Sequence, residues 1–446
     1  MTARPMTSSS QTGGPNWLAS SKALRPAAII FVSANIANVT NLLFNMIFAR
    51  LLGPVLFADL TLLLTLKLGA LAFLCAIQFA FSEYVAKAKH KSASKRFSAS
   101  MSQDSLYMSI PVMLLILILT PEIGRMLNLG SYTALFILFL ALPFFVPMVI
   151  YRGLAQGLID IPKIVTSIQS EWIIRLFGSL LLWHMGFGLA GIMVAISFSI
   201  FAGFIFSTDK KDWRLMRQRQ RSKPKRLNQL MVTSLPYITL QLFLITSMDS
   251  DIILAKAHMS AEIAGLVAGL LLVQRIFFFA FSSFSGVLQP IIARHTDQRS
   301  ALKELLLMII GIATATTLGM ALFVPLSDQV TTFLLGADYL AIAPLIPIAG
   351  LIGAIMMISY LCAIFLIMRG EKFVTLLMFS FGVAQILYLA ALAPEISSIG
   401  LERFFIVKLV IQSLCTLFMI GWAVYIGYHP RPELSISDPH YESHAP

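Results

Sequence analysis

Charge is what this sequence is short of. Only 12% of its 446 residues are charged, against 58% hydrophobic, and mean hydropathy is +0.83. A water-soluble domain carries about 25% charged residues, because its surface must face water. Half that share excludes an ordinary soluble protein and leaves a chain whose outer surface faces lipid. Paired cysteines are missing too. Cys75, Cys362 and Cys415 stand alone inside apolar runs, with no CxxC spacing, which excludes a disulfide framework or thiolate metal site and leaves three small core residues. No Walker A, HExxH or GxSxG element occurs, and no outer connection is long enough to fold a catalytic domain. The expectation is a protein that is not an enzyme, uses no cofactor, binds no metal and hydrolyses no ATP. The seven histidines are scattered; His184, His90 and His295 read as solvated loop residues.

What is present is apolar length. A membrane-crossing helix needs about 20 apolar residues plus a connection. Long unbroken runs place helices near 27–49, 55–81, 105–121, 132–151, 163–183, 187–207, 230–254, 262–291, 303–325, 341–368, 372–392 and 400–427. Barrel strands would instead alternate over about ten residues. The fold class is therefore all-α, a polytopic membrane protein of about 12 transmembrane helices. Residues 1–25, rich in Ser, Thr, Gly and Pro, read as a disordered tail. No short apolar core with a small-residue cleavage site follows, so the first helix is expected to stay as a signal anchor.

The net charge of +12 does not point to nucleic acid. Of 33 Lys and Arg, about 25 fall in the tail and alternate connections (82–104, 152–163, 208–229, 292–303, 369–372 and the C-terminus), while Arg50, Arg125, Lys256 and Arg403 fall in the others. That asymmetry predicts both termini on the cytoplasmic side of a bacterial inner membrane, with the basic loops against anionic lipid. The longest basic run, KKDWRLMRQRQRSKPKR, begins after Asp209 and divides the helices into two groups of six. The expected organisation is an N-lobe (26–208), a solvated linker (209–229), a C-lobe (230–428) and a C-terminal tail (429–446).

The halves repeat. At a shift of about 206 residues, Ala49-Arg50 falls on Ala255-Lys256, Phe57-Ala58 on Ile263-Ala264, and Leu60 on Leu266. An even helix number per half gives both the same orientation, hence a pseudo-twofold along the membrane normal and a cleft between lobes.

Charges inside spanning helices are costly, so each needs a partner, a watery cavity or a function. Lys67, Arg175, Arg275 and Lys408 qualify. Lys67 and Arg275 fall within two residues of equivalent repeat positions, so both are expected to face the cleft and suit an anionic group such as phosphate or pyrophosphate. The alternative is that each pairs with a neighbouring carboxylate. Glu171 precedes Arg175 by four residues, the spacing of an intrahelical pair. Lys408, about two turns from the outer end, is placed to snorkel to the headgroups. Asp59, Asp249 and Asp251, with Glu171, are the candidates for a coupling ion, against plain structural pairing. Pro143, Pro147, Pro236, Pro344 and Pro347 interrupt otherwise continuous runs and are expected to kink them.

The run FARLLGPVLFADLTLLLTL, with Arg50, Leu51, Leu52, Gly53 and Pro54 in its turn, resembles the first-to-second-helix signature of Wzx-type polysaccharide flippases. These form a branch of the multidrug/oligosaccharidyl-lipid/polysaccharide (MOP) exporter superfamily. In the second half, MDSDIILAKAHMSAEIAGLVAGLLLVQRI and the PIIAR ending at Arg294 are similar to the same family. The second turn departs from the pattern: AKAHMS lacks Gly-Pro, and Leu266-Val267 follow Gly265 where Tyr is usual. The resemblance implies a V-shaped transporter with helices 1, 2, 7 and 8 around a central cavity. It also implies a polyprenyl-pyrophosphate-linked oligosaccharide as substrate, moved toward the periplasm for O-antigen, capsule or exopolysaccharide synthesis. Polysaccharide polymerase and export machinery are the expected partners. A multidrug antiporter of the same fold, and a membrane polymerase or glycosyltransferase, remain the alternatives.

Overall fold

In the computed structural model the described residues are 21–88, 91–218, 224–282, 297–371, 373–392 and 400–429, with Leu288 and Ile292. Most of the expected N-terminal tail, the C-terminal tail beyond His429, His90, His295 and the PIIAR segment's Arg294 lie outside them. Among the described residues, nine helical stretches are long and apolar enough to cross a membrane. The first, Ser21–Lys87, breaks at Gly53, whose φ of 67° favours a residue without Cβ. Its two arms, α1 (21–52) and α2 (54–87), run side by side. Phe44 on α1 and Lys67 on α2 reach Arg175 and Glu171, one turn apart on a third helix. The bent pair Tyr132–Leu140 and Leu142–Gly157 passes the same test when taken together; with it, the split first stretch and the interrupted helical stretch 161–184, the described residues hold twelve long helical segments.

The remaining crossings are named in chain order. α3 (Lys91–Met126) is longer than the expected 105–121 and lies mostly against lipid. α4 (132–157) bends by 42° at Ala141, just before Pro143. α5 (161–184) carries a π turn at Ile174–Gly178, and α6 spans Gly188–Ser207. α7 (224–258) starts six residues earlier than expected and carries a π turn at Ile245–Asp249. α8 (Ala261–Phe281) and α9 (Gln298–Phe323) follow. α10 (Ala337–Met368) opens as a 3₁₀ stretch that holds Pro344. α11 (Phe373–Leu392) and α12 (Leu401–Tyr428) close the chain. α1–α6 pack into one lobe and α7–α12 into another, and the seam is α1 and α2 against α7 and α8.

The basic run after α6 is not simply solvated linker. Lys210–Arg217 forms a helix capped by Asp209, with Trp213 packed 5.4 Å from Phe204 and Asp212 buried. Lys163 at the start of α5 reaches Asp209 (2.9 Å) and Asp212 (3.3 Å). Burial alone would raise the Asp209 carboxyl. The Lys163 hydrogen bond and the Asp212 backbone outweigh it and hold the group far below the usual carboxylate range. This latch, with Lys95 nearby at 3.9 Å, marks the basic end of the bundle. The opposite end is the far end.

Candidate functional site

At the far end the lobes are clasped. Asp59 on α2 and Lys256 on α7 form a buried ion pair at 2.6 Å. The Gly130 amide donates to Asp59 (3.1 Å), and Asn128 donates to the Lys256 carbonyl (2.9 Å). Asp59 is thus held in an ion pair, and Lys256, counted from sequence as a loop charge, is buried. The motif residues build the same clasp. Arg50 donates to the carbonyls of Thr332 (3.1 Å) and Phe333, at the C-terminal end of the short helix Ser327–Leu334, where orphan carbonyls favour a cation. Pro54 sits on Gly265 so closely that a Cβ there would lie 2.5 Å from Pro54 backbone atoms. Gly265→Val should therefore hold the far ends apart. Spin-label distances across that end should lengthen, and an unchanged distribution would show that the contact does not govern closure.

Toward the basic end the seam hollows into a cavity of about 460 Å³, lined by Phe79, Glu83 and Gln156 from one lobe and Tyr237, Gln241 and Tyr360 from the other.

Between these ends, the N-lobe buries a charged cluster. Glu171 on α5 accepts from Lys67 on α2 (3.1 Å) through one oxygen and from Arg152 on α4 (2.9 Å) through the other. Arg152 also grips Ser167 through its hydroxyl (2.8 Å) and carbonyl (2.9 Å). The expected Glu171–Arg175 pair does not form; the carboxylate goes to Lys67 and Arg152 instead. Arg175 is the second residue of the π turn and lies between two rings, 4.5 Å from the Phe44 centroid and 4.7 Å from that of Trp172. Its Nε has no hydrogen-bond partner, and no carboxylate among the described residues pairs with it. Three cations thus share one carboxylate.

Across the seam, Arg275 on α8 pairs with Asp249 (2.6 Å), which closes the α7 π turn, and donates to Thr65 on α2 (3.0 Å). Lys67 and Arg275 are therefore both paired rather than facing each other as free cations. Arg275 is still close enough to Arg175 for the like charges to interact. Beside it runs a cavity of about 170 Å³ between α1 and α8, on which Asn35, Asn38, Asn41 and Asn45 border.

The C-lobe holds a separate network, in which Lys408 does not snorkel. It is fully buried, 2.5 Å from Asp251 and 2.8 Å from the Gln274 oxygen, since α12 turns it toward α7 and α8 and away from the bilayer. The adjacent π turn leaves the Ser247 carbonyl to accept from Gln385 (2.9 Å), which in turn accepts from Gln412 (2.5 Å). α11 approaches this turn so closely that a Cβ on Gly382 would meet Thr246 Oγ1 at 2.0 Å.

The candidate residues thus fall into four groups. Lys67, Glu171 and Arg175 stand together, Asp249 and Arg275 form the seam pair, Asp251 and Lys408 lie deeper in the C-lobe, and Asp59 joins Arg50, Gly53 and Pro54 at the far end. Sequence reasoning missed Arg152, though the apolar run continues past it as Gly-Leu-Ala. It missed the four asparagines as well, whose spacing of three, three and four on an apolar helix is itself a signal.

No family model and no curated protein matches the chain. Solved structures do. An inward-facing multidrug resistance MATE transporter of the MOP superfamily aligns at TM-score 0.74 and 14% identity, over 88% of this chain and 94% of that one. A eukaryotic MATE transporter aligns at 0.66 and 12%, over 92% and 97%. An outward-facing MATE transporter of the MOP superfamily aligns at 0.62 and 15%, over 90% and 94%. The chain has this fold over nearly its whole length.

Proposed function

We propose that the chain is an alternating-access transporter of the MOP kind. In this reading it moves a polyprenyl-pyrophosphate-linked oligosaccharide from the cytoplasmic to the periplasmic leaflet of a bacterial inner membrane, with both termini cytoplasmic. The observation that carries the reading is the buried excess of positive charge in the N-lobe. Lys67, Arg152 and Arg175 share only Glu171. A lone cation at the centre of a spanning helix costs about 2.5–3.5 kcal/mol or more, so an anion of matching charge should meet it. A diphosphate supplies that charge and enough acceptors for forked guanidinium donors. Arg175 offers the free donors, Glu171 fixes Lys67 and Arg152 around it, and Arg275 approaches from the other lobe.

The clasped far end and the hollow at the basic end support a state loaded from the cytoplasmic side, as does the better superposition on the inward-facing structure than on the outward-facing one. Anionic headgroups against the basic end, and polysaccharide polymerase and export machinery on the far side, belong to the same proposal, in which the chain itself performs no bond chemistry. The second reading is export of cationic small molecules, favoured by the names of the structural neighbours. The cationic excess argues against it, because such cargo needs unpaired carboxylates. A strain lacking the gene separates the two. Accumulation of a completed lipid-linked repeat unit with loss of surface polysaccharide is expected, whereas a normal pool with new drug sensitivity would select the second reading.

A further inference from the structure

α1 presents a row of asparagines to the seam. Asn35, Asn38, Asn41 and Asn45 fall within about a third of the helix circumference at 100° per residue. They border the cavity between α1 and α8, opposite Leu272 and Arg275. Asn45 is almost fully buried and donates to the Asn41 carbonyl (2.8 Å) and side-chain oxygen (3.1 Å). That leaves the Asn45 side-chain oxygen and the Asn41 amino group without a hydrogen bond among the described residues. Asn38 makes only a long contact of 3.5 Å to Ser282. Carboxamides placed in a membrane protein without partners are costly, and nothing charged in this row would hold an ion. Each carboxamide offers both donors and acceptors, which is the chemistry that matches neutral hydroxyls.

We propose that this row is a sugar subsite. It would hold hydroxyls or acetamido groups of the saccharide nearest the diphosphate, while Arg275 at its edge and Arg175 beyond hold the charge. The inference rests on the flippase reading and adds to it a site that recognises the glycan. The test compares binding of undecaprenyl diphosphate, bare and carrying one hexose, to the purified full chain and to Asn38→Leu/Asn41→Leu. Thermal midpoints of the two proteins control for folding, and Asn38→Gln/Asn41→Gln, which keeps the chemistry, guards against a packing defect. Wild type should bind the glycosylated lipid roughly tenfold or more tighter than the bare one, the worth of about two hydrogen bonds. The leucine variant should lose that preference and keep its affinity for the bare lipid. A leucine variant that retains the preference would overturn the sugar subsite alone. Failure of the wild type to bind either lipid would overturn the flippase reading and the subsite with it.

Discussion

Arg175→Gln is expected to abolish export and leave the protein folded. Lys67 and Arg275 each hold a buried carboxylate, so neutralising Arg275 orphans Asp249 and neutralising Lys67 leaves Glu171 with Arg152 alone, which confounds function with stability. Arg175 has no such partner. Removing its charge gives up two ring contacts, worth about 0.5–2 kcal/mol, but also relieves an uncompensated buried cation. The net change in stability should be within about 1 kcal/mol. Loss of a desolvated guanidinium on a diphosphate costs about 2–5 kcal/mol, roughly thirtyfold to several-thousandfold in affinity. Surface polysaccharide should disappear while membrane levels of the protein and its thermal midpoint stay near wild type. Wild-type polysaccharide in that strain would remove Arg175 from the site. Arg175→Lys should recover only part of the activity, since an ammonium lacks the planar fork and the flat contact with Phe44 and Trp172.

Asp251→Ala should produce the largest loss of stability, about 3–5 kcal/mol. It strands the Lys408 ammonium, which is fully buried and touches no other carboxylate among the described residues. The carbonyl of Met248 at 3.4 Å and the Gln274 oxygen do not neutralise a charge. Replacing both partners, as Asp251→Leu/Lys408→Met, should restore the thermal midpoint of the purified protein to within about 2 kcal/mol of wild type. Export by that double variant reports on coupling. If transport survives, the pair is structural; if it fails in a stable protein, Asp251 carries the driving ion. A single Asp251→Ala variant as stable as wild type would show that the buried pair is not what holds α7, α8 and α12 together.

The pattern of helices was legible because twenty apolar residues in a row admit one structure in lipid. Gly53-Pro54 was legible as a turn because local backbone chemistry decides it. The partners were not. Glu171 stands four residues from Arg175, yet its oxygens go to Lys67, 104 positions away, and to Arg152, 19 away. Intrahelical spacing states what is available, and packing decides what is used. The π turns at 174–178 and 245–249 were also hidden; at the second, a side chain from another helix, Gln385, takes the Ser247 carbonyl. Loop counting set Arg152 and Lys256 at the surface, since it measures distance along the chain from an apolar run rather than depth in a bundle. Lys408 was misplaced for the same reason: two turns from a helix end is within snorkelling reach only if the side chain faces lipid.

If the cationic cluster carries a diphosphate lipid across the bilayer, the purified protein should flip that lipid in reconstituted vesicles. Purified protein in vesicles loaded with an undecaprenyl-diphosphate oligosaccharide would be followed by the glycan's accessibility to an external enzyme. Wild type should make glycan from both leaflets accessible, while Arg175→Gln vesicles should stay at the level of protein-free ones. Wild-type vesicles that flip no lipid yet transport an organic cation would rule out a diphosphate lipid as the cargo.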